Sequence, residues 1–322
     1  MLLSIGLIIG GLVLLVLGGE TMLRGAVGLA EKFKLTPAII GLTVVAAGTS
    51  IPELAVSGMA AAQGSADIAV ANVFGSNIFN IAFILGACAL VRPLALTGNT
   101  VKLEYPVLAL VTLLALVITQ DGEVNRLDAV LCVAIYVGFT AYMVSLVRGQ
   151  VTAAEASELR EEVRELSDEK PVRTGVYVAY VAVGVALLAG GAHLTVMGAV
   201  EIARALGWSE RVIGLTIVSA GTGLPEVVAS LVSVIRGRTD IAVGNVIGSN
   251  LFNVLGVLGL TSLVAPLPVS PGLIDSDGWW MMGITLLLFP TMFTGNRIAR
   301  WEGATLLAVY VAYLWLLLQR PA

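Results

Sequence analysis

Ten apolar stretches follow one another along this chain, each close to the length a helix needs to cross ~30 Å of hydrocarbon. Inside a bilayer every backbone N–H and C=O must be satisfied by the protein itself, so stretches of this length are read as membrane-spanning helices. They lie at about 2–24, 36–61, 67–91, 101–119, 127–148, 173–200, 210–235, 240–265, 273–293 and 301–319. Composition agrees: 57% of the 322 residues are hydrophobic and 12% charged, against about 25% charged in soluble domains. The first stretch has no basic leader and no small-residue cleavage site, so it is read as a retained span.

Charge places the ends of the spans. Cytoplasmic connections accumulate Lys and Arg, and alternate connections, beginning with the first, hold 14 of the 18 basic residues. Ten spans with both termini outside satisfy that imbalance, which suits a cell (plasma or inner) membrane. The connection at 149–172 is the one polar segment of length, with seven of the 22 acidic residues between Glu155 and Glu169. Its Leu159, Val163 and Leu166 would suit a surface helix, but a solvated cytoplasmic linker is the preferred reading. A formal charge of −4 offers no footprint for nucleic acid. Cys88 and Cys132 both sit in apolar runs, which excludes a disulfide framework or a Cys-ligated metal.

The chain repeats itself at an offset of 173. GLTVVAAGTSIPELAVSGMAAAQGSADIAVANVFGSNIFN at 41–80 aligns without a gap to GLTIVSAGTGLPEVVASLVSVIRGRTDIAVGNVIGSNLFN at 214–253, with 22 of 40 positions identical. Five spans per copy is an odd number, so the second copy is upside down relative to the first. The expected fold is an all-α polytopic membrane protein of ten transmembrane helices as two inverted five-helix repeats, 1–148 and 173–322, joined by the 149–172 linker. Inverted repeats with polar residues at mid-membrane are a secondary-transporter arrangement.

An ionisable residue deep in a span is a functional candidate. Glu53 and Glu226 occupy matching places in spans two and seven. Thr49, Ser50, Glu53 and Ser57 share a helix face through three- and four-residue spacing, as do Thr222, Glu226 and Ser230. Pro52 and Pro225 free the carbonyls of Gly48 and Gly221. Asn72, Ser76 and Asn80 in span three, and Asn245, Ser249 and Asn253 in span eight, add amide and hydroxyl stripes, with Gly75 and Gly248 allowing close backbone approach. Such oxygens suit Na⁺, Ca²⁺ or Mg²⁺, not zinc or copper. Two buried acids with no basic residue near them in sequence need a cation or a proton. For Asn72, Asn77, Asn245 and Asn250 two roles stay open, ion ligand or interhelical glue. Asp67 and Asp240 open their helices and are read as N-terminal caps. Glu20 and His193 match at the same offset and could gate access, carry a proton or pair with a neighbour.

GTSIPE at 48–53, GTGLPE at 221–226, GSNIFN at 75–80 and GSNLFN at 248–253 resemble the two alpha repeats of the cation/calcium antiporter superfamily, prokaryotic sodium/calcium exchanger type. The resemblance implies a core of spans two, three, seven and eight holding Na⁺ and Ca²⁺ in overlapping sites. Carried over, the cation ligands are Thr49, Ser50, Glu53, Ser76 and Asn80 from the first repeat. Thr222, Glu226, Ser249 and Asn253 come from the second, with the carbonyls of Ala46 and Ser219. Ca²⁺ would sit between Glu53 and Glu226 with oxygens of Thr49 and Thr222, while spans one and six slide across the core to alternate access. Gly223 stands where many relatives have Ser, and Asn253 where many have Asp, which leaves the coupling stoichiometry open.

Two carboxylates neutralise one Ca²⁺ or two Na⁺ but not both loads, and that mutual exclusion is a physical basis for exchange. The expected activity is secondary Na⁺/Ca²⁺ antiport, with no enzymatic chemistry, no cofactor beyond the transported ions, and no partner beyond the lipid bilayer. H⁺-coupled antiport of Ca²⁺ or another divalent ion is the alternative. A channel has no need of an inverted repeat, and an intramembrane protease lacks a recognisable catalytic motif.

Overall fold

A computed structural model describes residues 1–64, 66–96, 98–147, 173–207, 217, 219–293 and 295–319. The 149–172 linker therefore lies outside the described residues, as does most of the start of span seven. In chain order the helices are α1 (Leu2–Phe33), the bent pair α2a (Pro37–Thr49) and α2b (Ile51–Ala62), α3 (Asp67–Val91), α4 (Thr100–Ile118) and α5 (Arg126–Leu146). The second half continues with α6 (Thr174–Ala205), α7a (Ser219–Thr222), α7b (Leu224–Ile235), α8 (Thr239–Val264), α9 (273–293) and α10 (Arg300–Gln319). Among the described residues seven helices are long and apolar enough to cross a membrane, and eight when α2a and α2b count as one span.

α8 is the centre. Of its most apolar 18-residue window 94% is buried, and of α3's 72%, against 17% for α5 and 22% for α10. The peripheral helices turn Leu127, Val130, Val137, Val311 and Trp315 outward, an apolar exterior that only lipid suits. Small residues let the central backbones meet: a Cβ at Gly244 or Gly248 of α8 would run into the α2a backbone at Ala38 or Leu42. Gly248 thus makes the close approach its motif suggested. The position that repeat symmetry would set against Gly75, residue 215, lies outside the described residues.

α1 and α6 pack against each other through a seven-residue beat of small side chains. Gly11 meets Gly191 and Thr195, Gly18 meets Gly184 and Leu188, Gly25 meets Tyr177 and Val181, and Gly198 meets Ser4. Ascending numbers on one helix match descending numbers on the other, so the pair is antiparallel. Both helices outrun the expected spans, reaching Phe33 and Ala205. At 32 residues each is ~48 Å long. Arg24, Glu31 and Lys32 suggest an earlier end for α1, but the turns between them, Gly25 to Ala30, are buried on every side and carry the helix on to a left-handed stop at Lys34, φ 54°.

Two small antiparallel ladders link the halves: β1 (Leu94–Ala95) pairs β4 (Arg297–Ile298), and β2 (Glu123–Val124) pairs β3 (Leu267–Pro268).

Candidate cation site

Both broken spans break at the same repeat position. Ser50 (φ −86°, ψ 11°) divides α2a from α2b, a bend of 42°, and Gly223 (φ −82°, ψ 0°) divides α7a from α7b. Pro52 and Pro225 sit in the first turn of the following helices, where a missing N–H is tolerated. Each break therefore starts a new helix whose first turn carries the glutamate, Glu53 or Glu226. Negative side chains are favoured at a helix N-terminus.

The two carboxylates lie in one site and are held crosswise. Ser50 Oγ donates to Glu226 Oε1 at 3.0 Å. The Thr222 hydroxyl hydrogen-bonds to Glu53. A hydroxyl from each repeat thus serves the other repeat's acid. Glu53 is 2% exposed and Glu226 1%, and each stands within electrostatic reach of the other's repeat. Polar groups buried in protein are normally paired. Here Glu53 Oε2, Glu226 Oε2, Ser249 Oγ, Asn250 Oδ1 and Asn253 Oδ1 have no hydrogen-bond partner among the described residues. These five come from α2b, α7b and the middle of α8, and the other such atom, Thr261 Oγ1, lies further along α8. An unsatisfied set of carboxylate, amide and hydroxyl oxygens is the donor set that a hard cation takes. No cluster of three or more His, Cys, Asp or Glu occurs among the described residues, so ligands beyond the two acids would be neutral oxygens.

The remaining candidates distribute around this pair. Thr49, Asn80 and Asn253 are buried. The Ala46 carbonyl already accepts from Thr49 Oγ1 at 3.3 Å and from Ser50 N at 3.1 Å, with carbonyl lone-pair geometry allowing a further contact. Ser76 lines a cavity of about 480 Å³ with Asn72, Phe79, Thr222 and Tyr310. Of Ser219 only the backbone is described, as the first residue of α7a.

The two roles left open for the asparagines resolve toward packing at two of them. Asn72 Nδ2 donates to Ser57 Oγ at 3.0 Å and to the Glu53 carbonyl at 3.2 Å. Asn245 Nδ2 donates to Ser230 Oγ at 2.9 Å, while its Oδ1 accepts from Thr49 at 3.3 Å. These amides lock α3 to α2b and α8 to α7b, so the acids cannot drift. Asn77 binds the Asn250 carbonyl and accepts from Asn253 Nδ2.

One expectation changes, and the matched residues Glu20 and His193 are placed. Asp67 stands inside the first turn of its helix, not before it, and its Oδ1 accepts from Ser270 N at 2.9 Å: it ties α3 to the start of α9 instead of capping α3. Glu20 pairs with Arg236 at 2.6 Å, which leaves it a tether between α1 and the end of α7b. His193 is exposed on α6. A further matched pair of buried acids lies outside the sequence motifs. Glu104 in α4 accepts from Thr100 at 2.9 Å, and Asp277 in α9 accepts from Tyr313 at 3.1 Å. Their numbers differ by the repeat offset, and that offset is the signal that could have found them.

The chain matches the sodium/calcium exchanger protein family over residues 3–145 and 176–319. It is a member of that family. Over 321 residues the exchanger is 40% identical to a putative antiporter, CaxA, of Alkalimonas amylolytica, covering 98% of this chain and 99% of the relative. It is 30% identical to the sodium/calcium exchanger MaX1 of Methanosarcina acetivorans, covering 94% and 95%. Among solved structures it is similar to the sodium-calcium exchanger NCX_Mj, with a TM-score of 0.83, 30% identity, and 98% and 99% of the two chains covered. The resemblance carried by two motifs per half thus extends over the whole membrane unit.

Proposed function

We propose that this exchanger moves Na⁺ and Ca²⁺ in opposite directions across a cell membrane by alternating access, using Glu53 and Glu226 as a shared acidic cage. The observation that carries the reading is the pair of carboxylate oxygens, Glu53 Oε2 and Glu226 Oε2, left without a hydrogen-bond partner among the described residues on two buried acids that hydroxyls hold crosswise. A buried charge left without a partner is strongly destabilising, so this arrangement is built to be completed by a cation. Thr49, Ser50, Thr222, Ser249, Asn253, Ser76, Asn80 and the carbonyls of Ala46 and Ser219 are the remaining proposed ligands. Ca²⁺ is assigned between the acids with Thr49 and Thr222, and Na⁺ to overlapping positions.

The proposed architecture is ten spans in two inverted halves, 1–148 and 173–322, with the linker 149–172 and most basic connections in the cytoplasm and both termini outside. The antiparallel α1–α6 pair and the crosswise ladders of β1 with β4 and β2 with β3 support inversion. The same helix pair is the proposed moving part. Its α6 member touches the core at Val185 beside Gly48 and Val196 beside Gly221, each flanking a break.

The test is ⁴⁵Ca uptake into liposomes under an imposed Na⁺ gradient. Glu53→Gln and Glu226→Gln are each expected to abolish it. Normal uptake in either variant, or uptake that a pH gradient drives without Na⁺, would count against the assignment.

A further inference from the structure

An amide carries an oxygen on one side and an N–H₂ on the other, so an asparagine serves a cation only where something fixes which way it is turned. Asn253 is buried in the π-helical stretch of α8, Phe252–Leu258, a distortion that recurs at functional sites. Its Nδ2 donates to Asn77 Oδ1 at 3.1 Å. Its Oδ1 is one of the buried oxygens left without a hydrogen-bond partner among the described residues.

What turns Asn253 is a chain of hydrogen bonds whose direction is forced. Asn77, itself buried on α3, aims one amide atom at the main-chain carbonyl of Asn250, 3.3 Å away, with Met281 Sδ of α9 at 3.6 Å. A carbonyl accepts and cannot donate, and a thioether is a weak acceptor. The atom facing both is therefore Nδ2, which leaves Asn77 Oδ1 toward Asn253. An amide oxygen there admits the Nδ2 of Asn253 and sends its Oδ1 the other way. Direction thus passes from a backbone group, which cannot flip, through one side chain to the next. The relay is not duplicated by the repeat. Asn250, the counterpart of Asn77, donates to the Val246 carbonyl of its own helix at 2.7 Å, and the repeat position of Met281 is Leu108, which has no acceptor.

We propose that Asn77 is a positioning residue, which holds the Asn253 amide with its oxygen free for Na⁺ and its N–H₂ turned away. This rests on the Na⁺/Ca²⁺ reading above, in which Asn253 is a cation ligand. An amide turned the other way would direct N–H dipoles at the ion and remove one oxygen from a donor set that a hard cation needs.

The experiment measures Ca²⁺ binding to the purified full chain, and the Na⁺ concentration that displaces it, so that an affinity is obtained for each ion. Asn77→Leu, similar in size but with no acceptor, is expected to weaken Na⁺ binding roughly tenfold or more. The deciding comparison repeats that substitution in an Asn253→Asp background, where both side-chain atoms are oxygens and orientation is immaterial. There the loss should shrink to less than about threefold. Equal losses in the two backgrounds would mean that position 77 only packs, and would overturn the proposal. Unchanged Na⁺ affinity in folded Asn77→Leu protein would overturn it too. Asn77→Ala carries the same two comparisons where the leucine variant does not fold. Folded wild-type protein that binds no Ca²⁺, or whose Ca²⁺ is not displaced by Na⁺, would instead overturn the exchange reading on which the role depends.

Discussion

Adding one methyl group at Gly248 should weaken Ca²⁺ binding without unfolding the protein. The Cβ of Gly248→Ala would stand 2.7 Å from Ala46 Cβ and from the Leu42 carbonyl carbon, and closer still to the Leu42 oxygen. Restoring ordinary contact near 3.5–4.0 Å requires α2a and α8 to part by about 1 Å. Overpacking of this kind costs about 1–3 kcal/mol of stability. The functional effect is larger, because the same separation moves α2a, which carries Ala46 and Thr49, away from α8, which carries Ser249 and Asn253. Metal–oxygen distances tolerate only ~0.2 Å, so a 1 Å shift removes ligands, and half-saturation for Ca²⁺ should rise roughly tenfold or more. The assay is ⁴⁵Ca uptake against external Ca²⁺, paired with thermal unfolding in detergent. Gly58→Ala is the control: it lies in α2b with nothing within 4 Å of its added Cβ and should transport normally. A folded Gly248→Ala protein with wild-type half-saturation would refute the claim that the α2a–α8 approach sets the site's geometry.

Ser50→Ala removes the 3.0 Å bond to Glu226, an interaction with a charged group worth about 1.5–3 kcal/mol. Na⁺-driven uptake should fall by roughly tenfold or more, and wild-type rates would contradict the crosswise cage. Arg236→Ala breaks the half-exposed tether to Glu20, a kind of pair worth about 0–1 kcal/mol. Uptake should change less than about fivefold, so a collapse of transport would give that pair a role beyond tethering.

The site is legible in the sequence because it repeats. Glu53 and Glu226 sit in duplicated motifs, and helical spacing alone aligns Thr49 and Ser57 with the first acid. What spacing cannot supply is the crossing: Ser50 serves Glu226 across 176 residues of sequence, a contact that exists only once the halves interlock. Helix lengths are hard to read where charge and burial disagree along one helix. Lys32 and Arg24 look like an end of span, yet every residue of α1 from Gly25 to Ala30 is packed within the protein. The β ladders, two residues per strand, are too short to show a period. Asp67 misleads because a first-turn acid and an N-cap look alike in sequence, and only the partner, Ser270 N, distinguishes them. Glu104 and Asp277 are recoverable from the offset but lie outside the motif-bearing segments.

The central claim is that one acidic pair takes rival ions in turn, and equilibrium Ca²⁺ binding to purified protein tests it most directly. Titration should give one Ca²⁺ per chain, displaced competitively by Na⁺, with no binding to the folded E53Q/E226Q variant. Ca²⁺ bound by that variant, or Ca²⁺ that stays on the wild type at saturating Na⁺, would contradict the account.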